Sequence, residues 1–136
     1  MNPIIKAVGY NYKYDLSLPI PQYYEIVEET RDHLISRPDA ILVNWGHVID
    51  GNIHLNVITP GNFEEDTELK ALLEPFIFEA VMKRGGSISA EHGLGQQKNK
   101  YLGTYAKDQI SVDAMKRMKD LFDPNNILNP GKYLPI

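Results

Sequence analysis

Residues 8–18 alternate without a break. Val8, Tyr10, Tyr12, Tyr14, Leu16 and Leu18 fall on one side; Gly9, Asn11, Lys13, Asp15 and Ser17 fall on the other. A period of two predicts a long strand with one covered face and one polar face. Pro19 and Pro21 stop it. The period then changes. Tyr23, Ile26, Val27, Thr30 and Leu34 recur at helical spacing, predicting a helix over residues 21–36 with Pro21 in its first turn and Pro38 past its end. His33 sits among the polar residues of that helix and reads as surface. Residues 40–47 and 52–59 are two further strands around Asp50-Gly51, a strong hairpin signal because both central residues of a type I′ turn need positive φ.

A second helix is predicted over residues 64–84, with Leu69, Leu72, Leu73, Phe76, Ile77, Ala80 and Val81 as its apolar stripe. Pro75 should bend or split it, and Gly85-Gly86 should end it. A short strand follows at 86–90, then a basic helical stretch at 96–102 with Lys98 and Lys100. A last helix is expected over 111–122, with Ser111 as N-cap and Ala114, Met115, Met118, Leu121 and Phe122 facing the core. The tail at 123–132 is rich in Pro and Asn, yet Ile127 and Leu128 suggest that it packs down. The order β, α, β, β, α predicts an α+β fold: an antiparallel sheet with helices on one face, like half of a ferredoxin-like fold, followed by C-terminal helices. Residues 1–136 read as one domain that begins almost directly in a strand, as a fragment would.

The hairpin brings chemistry into view. With Asp50 and Gly51 as the loop, Ile49 faces Asn52 and His47 faces His54. Opposed residues have Cβ atoms about 4.5–5.5 Å apart on one side of the sheet, so two imidazoles there can share a divalent metal. Asn56 points the same way as His54. The uncovered face would then carry Lys13, His47, His54 and Asn56, as a site or as an interface to another domain. Two readings stand for the histidines: polar residues on strands, or a metal pair. Trp45 opposes Asn56 in this register and either lines the polar face or belongs to the core. Further on, Ala90-Glu91-His92-Gly93-Leu94-Gly95 leads into a glycine-punctuated turn. Glu91 is a hard oxygen ligand suited to complete a His, His, Glu set with open positions, which leaves His92 available as a base. Alternatively, Glu91 and His92 serve a helix N-terminus.

Composition narrows the classes. The chain has 136 residues, 43% hydrophobic and 24% charged, ordinary for one globular domain. A net charge of −4 argues against non-specific nucleic-acid binding. Without cysteine there is no disulfide framework and no thiolate zinc site. No apolar run approaches a membrane span, and the N-terminus lacks the basic and apolar regions of a signal peptide.

Three segments together carry a resemblance: 46–56 (Gly-His-Val-Ile-Asp-Gly-Asn-Ile-His-Leu-Asn), 87–95 (Ser-Ile-Ser-Ala-Glu-His-Gly-Leu-Gly) and 122–132 (Phe-Asp-Pro-Asn-Asn-Ile-Leu-Asn-Pro-Gly-Lys). In order and spacing the chain resembles the C-terminal portion of the flavin-linked 2-hydroxy-acid dehydrogenases of the vanillyl-alcohol-oxidase type. The resemblance implies oxidation of a 2-hydroxy acid, such as 2-hydroxyglutarate or lactate, to the 2-oxo acid. It implies His47, His54 and Glu91 as ligands of a divalent metal, usually zinc; His92 as catalytic base; Lys13 and Asn56 as substrate-binding residues; and Asn129 in the tail that approaches FAD. The family usually has Gly where this chain has Ile49. Nothing here resembles the family's FAD-binding domain, so the chain reads as a fragment or excised domain, inactive alone, whose partner is that domain. Some relatives are labelled actin-interacting proteins, which supplies a second hypothesis, a non-catalytic binding module, although no residue here points to actin. Family members are mitochondrial or cytoplasmic, and the chain itself gives no address.

Overall fold

The structure is a computed structural model that describes residues 2–135, with the side chains of residues 4–135. The described residues form two compact units, one up to Ala90 and one from Glu91 onwards.

The first unit is α+β. Its elements are α1 (Asn2–Val8), β1 (Gly9–Ser17), α2 (Glu25–His33), β2 (Ile41–His47), β3 (Asn52–Pro60) and α3 (Thr67–Lys83). The three strands form one antiparallel sheet in the order β1-β3-β2. The chain therefore leaves β1, passes through α2, and returns two places away, with β3 filling the gap. The N-terminal segment is a helix rather than the start of a strand. It runs to Val8, which is exposed, so the strand alternation begins one residue later than its pattern suggests.

The core lies on the side of the sheet that the alternation marks. Tyr12, Tyr14 and Leu16 of β1 and Ile53, Leu55 and Val57 of β3 are buried. They pack with Ile26 and Val27 of α2 and with Leu69, Leu73, Ile77, Phe78 and Val81 of α3. Phe78 meets Tyr14 edge-on, with ring centroids 6.0 Å apart. Each such side chain removed from water contributes about 1.5–3 kcal/mol.

α2 is shorter than its periodicity predicts, because Pro21 sits in a separate 3-10 turn at Ile20–Gln22. α3 starts at Thr67, one residue after its cap: the Asp66 carboxylate accepts the N–H groups of Glu68 and Leu69 at 2.9 and 3.0 Å. Pro75 does not split α3. Proline deprives the helix of one donor and crowds the preceding turn. Beside it, His33 Nε2 lies 3.1 Å from the Leu72 carbonyl, and the His33 ring stacks on Phe76 at 3.9 Å. His33 is thus half-buried against α3, not a surface residue.

The predicted strand at 86–90 reduces to a single bridge between Ser17 and Ser87. The second unit has little regular structure before α4 (Gln109–Phe122). Residues 96–102 are turns ending in a 3-10 turn at Asn99–Tyr101, followed by a π-helical turn at Leu102–Ala106. α4 begins two residues before Ser111. Asp108 is its cap, accepting the Ser111 N–H at 2.9 Å and the Ser111 hydroxyl at 2.7 Å. The expected core stripe of α4 faces solvent instead: Met118 is 60%, Leu121 75% and Phe122 80% exposed, and only Val112 is buried on this helix. Ile127 and Leu128 are likewise exposed. The tail is held by polar contacts. Asp123 pairs with Lys119, and its carboxylate accepts the N–H groups of Ile127 and Leu128 at 3.0 and 2.9 Å. Lys119, and then these N–H groups, hold its carboxyl below the usual carboxylate range.

Candidate metal centre

The polar face of the sheet is built in rows across β1, β3 and β2. One row is Lys13, Asn56 and Val43; the next is Asp15, His54 and Trp45; the third is Ser17, Asn52 and His47. His47 therefore faces Asn52, not His54, and Trp45 faces His54, not Asn56. The sequence-based register is off by two residues. The reason is the turn. Val48–Asp50 form a 3-10 turn closed by Gly51, which alone takes the left-handed conformation, at φ 68°. A type I′ turn would need that conformation at both central residues. The four residues 48–51 are consumed, and pairing resumes between His47 and Asn52.

A shift of two leaves every side chain on its predicted face. His47 and His54 become diagonal neighbours, still within reach for aromatic side chains. Their rings meet edge-on, with centroids 5.8 Å apart and planes at 86°. Two imidazoles on one tetrahedral ion have centroids roughly 5 Å apart, given a metal–nitrogen distance of about 2.0–2.1 Å. The centroid separation is close to that value, but the group of possible ligand atoms within 4.8 Å of one another among the described residues includes His54 and Asp15 and not His47. Trp45, half-buried, lies nearly parallel to the His54 ring at 6.1 Å, so it lines the polar face rather than the core. Gly46 sets the strands this close: a Cβ there would stand 2.2 Å from the Asn52 carbonyl oxygen. Ile49, the departure from the family pattern, lies in the 3-10 turn and is 89% exposed.

The remaining candidates in this unit differ in kind. Lys13 is exposed. Asn56 is 2% exposed and committed: its carbonyl accepts from Asn11 Nδ2 at 3.0 Å and its amide donates to the His54 carbonyl at 2.9 Å. The second N–H of the Asn56 amide is not used in these two bonds. Asp15 is the residue that sequence reasoning passed over. It is 8% exposed, and its carboxylate accepts from Asn52 Nδ2 at 2.8 Å. A carboxylate in the middle of a predicted strand, on the same face as two histidines, was the available signal.

Glu91, His92 and Asn129 belong to the second unit. Within the first unit, the Ala90 N–H donates to the Asp15 carbonyl at 3.2 Å, and Glu91 and His92 follow directly along the chain. Both are exposed and lie in bends. No helix begins there; the next helical turn starts at Asn99, so the reading of Glu91 and His92 as a helix N-terminal pair has no helix to serve. Asn129 has φ 49°, and its side-chain Oδ1 accepts from Lys132 Nζ at 3.2 Å. It borders an open groove of about 460 Å³ lined by Met115, Met118, Phe122, Leu128 and Tyr133.

Comparison with known proteins gives consistent results. Residues 3–133 match the family described as FAD linked oxidases, C-terminal domain. The chain is 45% identical to the mitochondrial D-2-hydroxyglutarate dehydrogenase of Danio rerio over 127 residues, which is 93% of this chain and 23% of that protein. It is 40% identical over 140 residues to a putative mitochondrial D-lactate dehydrogenase of Schizosaccharomyces pombe, covering 96% of this chain and 26% of that protein. It is 39% identical over 136 residues to a D-2-hydroxyglutarate–pyruvate transhydrogenase of Saccharomyces cerevisiae, covering 94% of this chain and 27% of that protein. The chain thus spans about a quarter of the length of the curated relatives it matches. Their names describe oxidoreductases and say nothing of actin, so the binding-module alternative gains no support. Among the described residues no helix is long and apolar enough to cross a membrane. The matched span, with its hairpin histidines, makes this chain a member of the FAD-linked oxidase C-terminal domain family.

Proposed function

We propose that this chain is the substrate and metal portion of an FAD-linked D-2-hydroxy-acid dehydrogenase, which oxidises a small acid such as 2-hydroxyglutarate or lactate to the 2-oxo acid. The observation that carries the reading is the edge-on pair of His47 and His54 on a polar sheet face that also bears Lys13. In this reading His47, His54 and Glu91 hold a divalent ion, zinc by the chemistry of two imidazoles and a carboxylate. When bound, that ion polarises the substrate hydroxyl and the flavin accepts the hydride from C2. His92 takes the hydroxyl proton onto a ring nitrogen. The Lys13 ammonium pairs with a substrate carboxylate, and Asn56 offers its remaining N–H. Asn129 would contribute to holding the flavin, which the FAD-binding part of the same protein would bind. The exposed apolar residues of α4 and the tail support such a partner, since a surface of this kind marks a contact site.

Zinc titration calorimetry tests the reading. The wild-type chain should bind one zinc ion, more weakly at low pH as imidazoles protonate. His47→Ala combined with His54→Ala should abolish binding. Equal zinc binding by the wild type and the double variant would remove the hairpin from the site.

A further inference from the structure

We propose that β2 is an interaction edge whose partner is a second copy of this chain, the two β2 strands pairing antiparallel to join the two sheets into one. The inference is independent of the metal and substrate reading above. Among the described residues β2 is bonded to one strand only: the sheet runs β1-β3-β2, so β2 closes one end of it. A strand in that position presents a row of unpaired N–H and C=O groups, a template for another strand. The opposite edge is treated differently. There β1 carries Lys13 and Asp15, and its outer side is bonded within the same unit. Ser17 exchanges both backbone hydrogen bonds with Ser87 at 2.9 Å, and the Ala90 N–H donates to the Asp15 carbonyl at 3.2 Å.

β2 has none of the side chains that keep edges apart. Its sequence, Ile-Leu-Val-Asn-Trp-Gly-His, includes no proline, lysine, arginine or carboxylate. None of its residues is buried, whereas β3 is buried along almost its whole length. On the core side Leu42 is only half-buried, although Val57 opposite it is fully buried. Asn44 stands on that same side opposite Leu55, half-buried, and its side chain makes no hydrogen bond among the described residues.

The strand is also complementary to itself. Two copies paired flush, with the dyad at Asn44, set Val43 against Trp45 of the second copy, Ile41 against His47, and Asn44 against Asn44. A tryptophan facing a valine is an aromatic–β-branched pair, a favourable cross-strand combination. Facing amides offer each other a donor and an acceptor. Charge selects the same edge. The chain carries a net charge of −4, so two copies repel in general. Self-pairing of β1 about its middle residue, Lys13, would oppose lysine to lysine, which is destabilising. β2 brings no such conflict. The contact between two such edges is small, so the association is concentration-dependent.

The test is sedimentation velocity of the full chain over a concentration series, with amide hydrogen exchange read on β2. The wild type should pass from monomer to dimer, and β2 amides should become more protected as it does. Asn44→Asp and Asn44→Lys each oppose like charges at the dyad, and each should weaken the dimer about tenfold or more. Mixed in equal amounts, the two variants should pair again. A wild type that stays monomeric would overturn the proposal, whether its β2 amides exchange freely or are protected by some other strand. A dimer that survives both Asn44 substitutions, or that disperses on Phe122→Ser instead, would move the interface to α4 and overturn it too. So would a failure of the mixed variants to associate. If the Asn44 variants do not fold, the wild type decides alone: β2 protection that does not change with concentration overturns the assignment.

Discussion

His47 and His54 are not cross-strand partners, yet their rings meet edge-on at 5.8 Å. The contact exists because His47 stands one diagonal step from His54, on the same face of the sheet. It therefore depends on the register between β2 and β3, which the backbone at Gly46 guards.

Gly46→Ala should disturb that register, because the new methyl would lie 2.2 Å from the Asn52 carbonyl. A side chain forced into an incompatible backbone site costs more than about 1 kcal/mol. Thermal melting should show the loss of stability, and zinc affinity should fall with it. An alanine variant that melts and binds zinc like the wild type would mean that the strands have room to spare.

A metal ligand and a general base fail differently, which separates Glu91 from His92 in the intact enzyme. Glu91→Gln should lower metal occupancy, with activity partly rescued by added zinc. His92→Ala should keep its metal and still lose roughly 10²–10⁴-fold in kcat, the usual contribution of a positioned acid–base group. The acidic limb of the pH–rate profile should change as well. Metal analysis of His92→Ala decides the matter: lost metal would transfer the ligand role to His92.

Two phenylalanines should behave oppositely. Phe78 is fully buried against Tyr14, and Phe78→Ala should cost about 3–5 kcal/mol in chemical denaturation. Phe122 is 80% exposed, and Phe122→Ser should change the stability of the chain by no more than about 0.5 kcal/mol. A large loss at Phe122 would mean that the α4 stripe is covered within this chain after all.

Acid should destabilise the fold through four aspartates. Arg37 lowers the pKa of Asp39; backbone N–H donors and then Arg37 lower that of Asp66; Ser111 lowers that of Asp108; Lys119 lowers that of Asp123. A folded-state pKa below the unfolded value gives stability that is fully present above the unfolded pKa, about 4 for aspartate, and is lost as pH falls through the folded value. Melting temperature should thus be insensitive to these groups above about pH 5 and should drop below about pH 4. Asp66→Asn and Asp123→Asn together should flatten that acid limb; an unchanged limb would assign it to other groups.

The amino-acid pattern by itself determined the sheet faces, the core and the family. Alternation in β1 placed Tyr12, Tyr14 and Leu16 inward and Lys13 and Asp15 outward, because side chains in a strand point to opposite faces. Helical spacing located α3: Leu69, Leu73, Ile77, Ala80 and Val81 of the predicted stripe are buried, whereas Leu72 and Phe76 are only half-buried and Phe78, outside the predicted stripe, is fully buried. Tertiary structure decided the rest. The hairpin offset of two residues came from a 3-10 turn that a dipeptide signal does not reveal. His33 became half-buried because Phe76 and the Leu72 carbonyl beside Pro75 gave its ring a place to pack. The apolar stripe of α4 stayed exposed, since periodicity states which residues share a face and not whether anything covers it. The pairing of Asp15 with His54 is of the same kind: parity put both on the polar face, but only the pairing of β1 with β3 made them neighbours.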